Sequence, residues 1–127
     1  MPGHQRHTRQ RAAIAGVFEA QGGPLSALEV LKLARAKVPG MGTATVYRAL
    51  AAMLEEGALT VVHLLGQAPR YELAGKGHHH HFCCRGCGRA FEIEGCAEGV
   101  QALAPAGFRV EGHDLVLTGL CPGCVGG

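Results

Sequence analysis

Two Cys-x-x-Cys pairs constrain this chain more than any other feature of its sequence. They are Cys84-Arg-Gly-Cys87 and Cys121-Pro-Gly-Cys124. Two intervening residues let both thiolates of a pair reach one ion across a tight turn, and the glycines permit the backbone angles of that turn. Four thiolates complete the tetrahedral coordination of Zn²⁺ and leave no position for water or substrate. The pairs therefore predict a structural zinc site rather than a catalytic one.

The cellular context bears on whether these thiols hold metal or form disulfides. The 127 residues contain no apolar run near the roughly 20 residues of a membrane span, and the start lacks the apolar segment of a secretory signal. We therefore expect a cytoplasmic protein with no membrane segment, where thiols stay reduced. Zinc is favoured over disulfides or a redox dithiol. Cys83 is interpreted as a small buried hydrophobe, whereas a ligand or redox role stays open for Cys96.

The first part of the chain predicts three helices and a hairpin. Apolar residues recur at helical spacing after Thr8, Ser26 and Thr43, and glycine- and proline-containing breaks separate the runs. Ser26 and Glu29 form a capping box, and Gly57 closes the third helix. Two strand-like runs follow, over residues 59–65 and 70–73. This order is typical of a winged helix-turn-helix.

The remainder has the pattern of a small α+β domain. It contains every cysteine and five of the eight histidines. Predicted strands cover residues 79–84, 90–93, 108–110 and 115–118, and a helix is predicted over 96–104. The predicted organisation is an α+β fold with a winged-helix domain (1–73), a hinge (74–77) and a metal-binding domain (78–127).

Four consecutive histidines, His78 to His81, precede the first cysteine pair. On a strand, His79 and His81 project from one face and His78 and His80 from the other. One segment can therefore serve two metal sites, and imidazoles suit Zn²⁺, Fe²⁺ and other late divalent metals. A solvated polar strand is the alternative. Further ligand candidates are Glu72, Glu92, Glu98 and His113.

Four motifs together resemble the ferric uptake regulator (Fur) superfamily over nearly the whole chain, most closely its zinc uptake regulators. The motifs are Thr43-Ala-Thr-Val-Tyr-Arg-Ala-Leu, Arg70-Tyr-Glu-Leu, His78-His-His-His-Phe-Cys-Cys-Arg-Gly-Cys-Gly and His113-Asp-Leu-Val-Leu-Thr-Gly-Leu-Cys-Pro-Gly-Cys. The resemblance implies a C-terminal dimerisation domain. It also implies a repressor of metal-uptake or stress genes that acts when its metal is bound.

The resemblance also implies three metal sites. The four paired cysteines match the structural zinc ligands. The regulatory site matches Glu72, His79 and His81. The second site matches His78, His80 and His113, with Glu98 as fourth ligand and Glu92 as a further acidic candidate.

One departure concerns the regulatory site. The family often supplies a histidine just before the second helix, but this chain has Pro24 there. Zinc-sensing members that lack it use a cysteine near the hinge, where this chain has Leu73 and Ala74, so His63 is the candidate to complete the site. Zinc is favoured over iron or manganese as regulatory metal. Peroxide sensing is disfavoured because that type has an aspartate where this chain has Glu72.

The resemblance further implies a homodimer that binds an inverted-repeat operator in double-stranded DNA. The third helix would enter the major groove, and the basic N-terminal segment would contact phosphates although the net charge is only +2. The predicted contacts are Arg9, Arg11, Thr43, Thr45, Tyr47 and Arg48. A solvated tail is the alternative for the basic segment.

Two other classes of function share part of this pattern. A zinc-ribbon interaction module or a metal-buffering protein would share the cysteines but lack specific DNA binding. An enzyme is disfavoured, because the sequence shows neither a nucleophile–base pair nor an open zinc site.

Overall fold

The computed structural model describes residues 2–21, 23–64, 66–95 and 99–126. They divide into two compact units, Met1–Gly75 and Lys76–Gly127. Cys96 and Glu98, both named above, lie outside the described residues. No helix in the described part is long and apolar enough to cross a membrane.

The first unit packs three helices against a small sheet. The helices are α1 (Pro2–Ala20), α2 (Ala27–Lys37) and α3 (Thr43–Glu55). The strands are β1 (Leu25–Ser26), β2 (Leu59–Val62) and β3 (Arg70–Leu73), antiparallel in the order β1-β3-β2. Twelve buried apolar residues from all three helices, their connections and the sheet form one core, with Ile14, Val30 and Val46 completely buried. The predicted order of three helices and a hairpin is present.

Local signals account for the helix ends. Ser26 Oγ accepts from the Glu29 N–H, while the Glu29 side chain accepts from the Ser26 N–H, so the predicted capping box is confirmed. Gly57 has φ +80° just beyond α3, as its predicted role requires. The predicted start of α1 at Thr8 is wrong, since the helix begins at Pro2. Proline is tolerated at the first position of a helix, so Pro2 is compatible with a helix that starts before Thr8.

The second unit is a three-stranded sheet. Its central strand β4 (His79–Cys84) pairs antiparallel with β5 (Ala90–Glu94) and parallel with β6 (Val116–Gly119). The helix predicted over 96–104 appears, within the described residues, as a 3₁₀ turn at Val100–Leu103. The strand predicted over 108–110 is absent from the described structure. Phe108 there is 70 % exposed, so its apolar side chain is not held against a sheet.

Candidate metal centres and nucleic-acid surface

The four paired cysteines converge in the second unit, as their spacing predicts. Their sulfur atoms all lie within 4.8 Å of one another. Cys87 Sγ and Cys121 Sγ are 3.8 Å apart. A regular tetrahedron with Zn–S bonds of about 2.3 Å has edges of about 3.8 Å. The donor set and its spacing therefore fit a structural Zn²⁺.

Backbone amide groups stabilise a negatively charged thiolate in this cluster. The N–H groups of Cys121 and Cys87 donate to Cys84 Sγ at 3.3 and 3.4 Å, and these bonds lower the pKa of Cys84 to about 6. Cys124 forms a hydrogen bond with Cys84, and this bond raises the pKa of Cys124 to about 12. The Cys84 thiolate therefore forms readily, whereas a positive ion that neutralises the cluster favours loss of the Cys124 proton.

Gly86 is needed for this close approach. A Cβ atom on Gly86 would lie 2.9 Å from Cys124 Sγ and 3.0 Å from Cys124 Cβ. From the sequence, this glycine is explained by the backbone angles that the turn needs. The structure shows that the side of Gly86 without a Cβ is occupied by the second cysteine pair, a contact that the spacing alone does not show.

A second cluster joins three histidines of the same unit. The ligand nitrogens of His78, His80 and His113 lie within 4.8 Å of one another. His78 Nε2 and His113 Nε2 are 3.2 Å apart, close to the edge of about 3.3 Å of a tetrahedron with Zn–N bonds near 2.0–2.1 Å. The structure thus brings these three predicted ligands together. Glu98, the predicted fourth ligand, lies outside the described residues.

His80 differs from its two neighbours in burial. It is 1 % exposed, and burial, together with the nearby rings of His78 and His113, lowers its pKa. The Leu115 N–H donates to His80 Nδ1 at 3.0 Å, so in the neutral ring Nε2 carries the proton. Coordination through Nε2 would require this proton to move to Nδ1, which would break the hydrogen bond from the Leu115 N–H.

The opposite face of β4 carries His79 and His81. Their ring centroids are 4.9 Å apart. His79 Nδ1 lies 2.7 Å from the carbonyl oxygen of Gly77, which accepts a hydrogen bond and leaves His79 Nε2 as the nitrogen with a lone pair. Two imidazoles on one strand face could supply two of the four ligands of a tetrahedral metal ion.

Glu92 lies on the face of His79 and His81. It pairs directly with His81 in the β4–β5 ladder, and its Oε1 is 4.0 Å from His79 Nδ1. Directly opposed residues in an antiparallel ladder point to the same side. The structure therefore places Glu92 with His79 and His81, and its predicted grouping with His78, His80 and His113 is wrong. The sequence does not show which β4 residue pairs with Glu92, and this register decides the face.

Glu72 and His63 belong to the first unit. Glu72 is buried on β3, directly opposite Thr60 of β2, and His63 is exposed just beyond the end of β2. Their assignment to a site with His79 and His81 stays a prediction.

The helix predicted to read DNA presents polar side chains to solvent. Thr43, Tyr47 and Arg48 on α3 are exposed, Tyr47 by 49 %, and Thr45 is half-buried. The Arg48 guanidinium donates to Thr45 Oγ1 at 3.5 Å. Such side chains near the start of a helix suit contacts to phosphates and base edges.

The two arginines of α1 have different surroundings. Arg11 donates to both carboxylate oxygens of Glu56, a residue just after α3 that sequence reasoning missed. Arg9 is exposed and lines a cavity of 390 Å³ beside Pro39. A separate cavity of 260 Å³ is lined by residues of α1 and α3, namely Gln10, Arg11, Thr45, Arg48, Ala49 and Ala52. Three of the predicted DNA contacts therefore share one concave surface.

Known proteins share this combination of a three-helix unit and groups of potential metal ligands. Residues 3–118 match the Ferric uptake regulator family. The chain is 39 % identical to the ferric uptake regulation protein of Campylobacter jejuni over 87 residues, which span 66 % of this chain and 55 % of that relative. It is 33 % identical to the zinc uptake regulation protein of Mycobacterium tuberculosis over 122 residues, 94 % of each chain.

A solved structure gives the same result. The ferric uptake regulator from Francisella tularensis with iron matches at a TM-score of 0.68 and 27 % identity, covering 91 % of both chains. The fold, the four-cysteine cluster and the match over residues 3–118 agree, and this chain belongs to the ferric uptake regulator family.

Proposed function

We propose that this protein represses metal-uptake genes in the cytoplasm and that Zn²⁺ is its regulatory metal. Proteins of this family are metal-responsive transcriptional regulators and not enzymes. The observation that carries the proposal is the alternation of histidines on β4. His79 and His81 lie on one face of the strand, and His80 lies on the other face, where His78, just before the strand, joins it. Both groups lie beside the four-cysteine cluster.

The three groups of ligands would have different tasks. The cysteine cluster stabilises the second unit, since a closed four-thiolate site has no open position. The regulatory site would use Glu72, His79 and His81, with His63 as the added ligand. Bound there, a divalent cation would supply bonds that link groups distant in sequence. The second site would use His78, His80 and His113.

Support for zinc comes from ligand chemistry. Imidazole nitrogens suit Zn²⁺, although they also accept Fe²⁺. A zinc regulator is also among the relatives, since the zinc uptake regulation protein of M. tuberculosis is 33 % identical over 94 % of both chains. Ferric regulators match to a similar extent, as the F. tularensis structure does over 91 % of both chains. Iron, or manganese, is the alternative regulatory metal.

DNA binding would use a homodimer. Two recognition helices related by a two-fold axis match an inverted repeat, so we propose a double-stranded operator of that symmetry. Arg48 and Tyr47 would contact the major groove, and Arg9 and Arg11 the phosphate backbone. Because metal and DNA would favour the same arrangement, each would raise affinity for the other.

The test is a metal titration with DNA binding as readout. Protein retaining its cysteine zinc is titrated with Zn²⁺, Fe²⁺ and Mn²⁺, and its affinity for inverted-repeat fragments is measured at fixed salt. We expect Zn²⁺ to raise the affinity at the lowest concentration and His81→Ala to abolish the response. His63→Ala tests the added ligand, and His113→Ala reports on the second site. Operator affinity that does not depend on metal would refute the proposal, and absence of specific binding would favour an interaction or metal-buffering module.

A further inference from the structure

We propose that Lys76 is an internal competitor for the carboxylate of Glu92 and thereby weakens metal binding at the His79/His81 face. The inference rests on the proposed function in one respect, namely that this face binds the regulatory metal. Lys76 Nζ lies 3.0 Å from Glu92 Oε2. The two side chains are only 26 % and 22 % exposed, so this is a partly buried, charge-assisted bond rather than a solvated surface pair.

The position of Glu92 makes this bond relevant to the metal. Glu92 is the ladder partner of His81, and its second oxygen, Oε1, is 4.0 Å from the His79 ring. His79 Nδ1 donates instead to the Gly77 carbonyl, at 2.7 Å. One carboxylate therefore lies beside both imidazoles while one of its oxygens is bonded to a lysine ammonium.

A divalent cation that binds both oxygens of Glu92 would compete with the ammonium group of Lys76 for Oε2. A carboxylate is an acceptor only, and it is a good ligand for Zn²⁺ beside two imidazoles. If Glu92 turned toward the cation, its bond to Lys76 would break and the ammonium group would return to water. Part of the metal-binding free energy is thus spent on separating this pair, and the apparent affinity is lowered accordingly.

The first experiment removes the competitor. Lys76→Met keeps an unbranched side chain of similar length but deletes the ammonium group. Lys32→Met is the matched control, because Lys32 is exposed on α2 in the first unit. Zn²⁺ affinity of the full chain, with its cysteine zinc retained, is measured by competition with a chromophoric chelator. We expect Lys76→Met to bind Zn²⁺ about tenfold more tightly, which equals about 1.4 kcal/mol, and Lys32→Met to match the unaltered protein.

The second experiment tests whether Lys76 acts through Glu92. In a double-mutant cycle with Glu92→Gln, the effect of Lys76→Met should shrink to less than about twofold, because the carboxylate that couples them is gone. A tenfold effect that persists in Glu92→Gln would overturn the proposal, since Lys76 would then act by charge alone. An unchanged or weaker Zn²⁺ affinity in Lys76→Met would also overturn it.

The two proposals can fail separately. If His81→Ala binds the added Zn²⁺ as tightly as the unaltered protein, the His79/His81 face is not the metal site, and both proposals fail. If His81→Ala loses that Zn²⁺ while Lys76→Met behaves like Lys32→Met, only the competitor role of Lys76 fails.

Discussion

The second unit has almost no apolar interior, and this makes its dependence on zinc testable. Its buried residues within the described part are His80, Cys83, Cys84, Ala90 and Cys121. Larger apolar side chains are left outside, with Leu103 84 % and Phe108 70 % exposed. The first unit, by contrast, encloses twelve buried apolar residues in one cluster. We therefore predict that Cys84→Ala, in protein stripped of metal by a chelator, unfolds the second unit and leaves the first one folded.

The expected size of the effect follows from two quantities. A structural Zn²⁺ site contributes about 10–16 kcal/mol to the folding of small domains. The total stability of a domain is about 5–15 kcal/mol. A fully buried leucine-sized side chain could offset about 1.5–3 kcal/mol, but the described residues of the second unit bury none. The folding free energy lost with the zinc should therefore be larger than the folding free energy that the rest of the second unit supplies, and the unit should unfold.

Hydrogen exchange measured by mass spectrometry distinguishes the two units. Protection of β4, β5 and β6 should be lost in metal-free Cys84→Ala, while amides of α1 to α3 stay protected. Low protein concentration keeps self-association from masking the loss. Cys83→Ala with its zinc retained is the matched control, because Cys83 is also a buried cysteine of β4 but lies outside the cluster. Protection of β4 and β5 that survives in metal-free Cys84→Ala would refute the reasoning.

Three further predictions concern the rest of the molecule. Glu29→Ala should lower the free energy of unfolding of the first unit by about 3 kcal/mol, measured in urea, because Glu29 caps α2 and pairs with the buried Arg70 at 2.5 Å; a loss below 1 kcal/mol would contradict this role. Burial lowers the pKa of His80, so an unfolded chain takes up a proton that the folded unit excludes. The stability of the zinc-loaded second unit should thus be greatest above a pH of about 6.5 and should fall below it. His80→Gln should reduce this pH dependence in melting experiments, and a pH dependence that persists in His80→Gln would contradict the role of His80. Arg48→Ala should weaken operator binding by about 1–3 kcal/mol and relax its base preference in anisotropy titrations, because Arg48 is proposed to contact base edges in the major groove; unchanged affinity would remove Arg48 from the interface.

Features determined by neighbouring residues could be predicted from the sequence. The capping box at Ser26 and Glu29 and the left-handed Gly57 depend on contacts within one or two turns, so a single short segment specifies them. The cysteine pairs predict their own ligand geometry for the same reason. The β4 strand matched its predicted bounds of residues 79–84, since histidine alternation and the adjoining knuckle delimit it.

Other features depended on which segments meet in space. The β4–β5 register places Glu92 with His79 and His81 rather than with His80, and a shift of one residue would reverse that choice. Lys76 meets Glu92 across 16 positions, and Arg11 meets Glu56 across 45. The sequence by itself thus determined the ligand types, the start of α2, the end of α3 and the two faces of the histidine strand, because these follow from local contacts and backbone periodicity. Only the tertiary structure decided which charges face those ligands, because pairing between distant segments is selected by the packing of the whole unit.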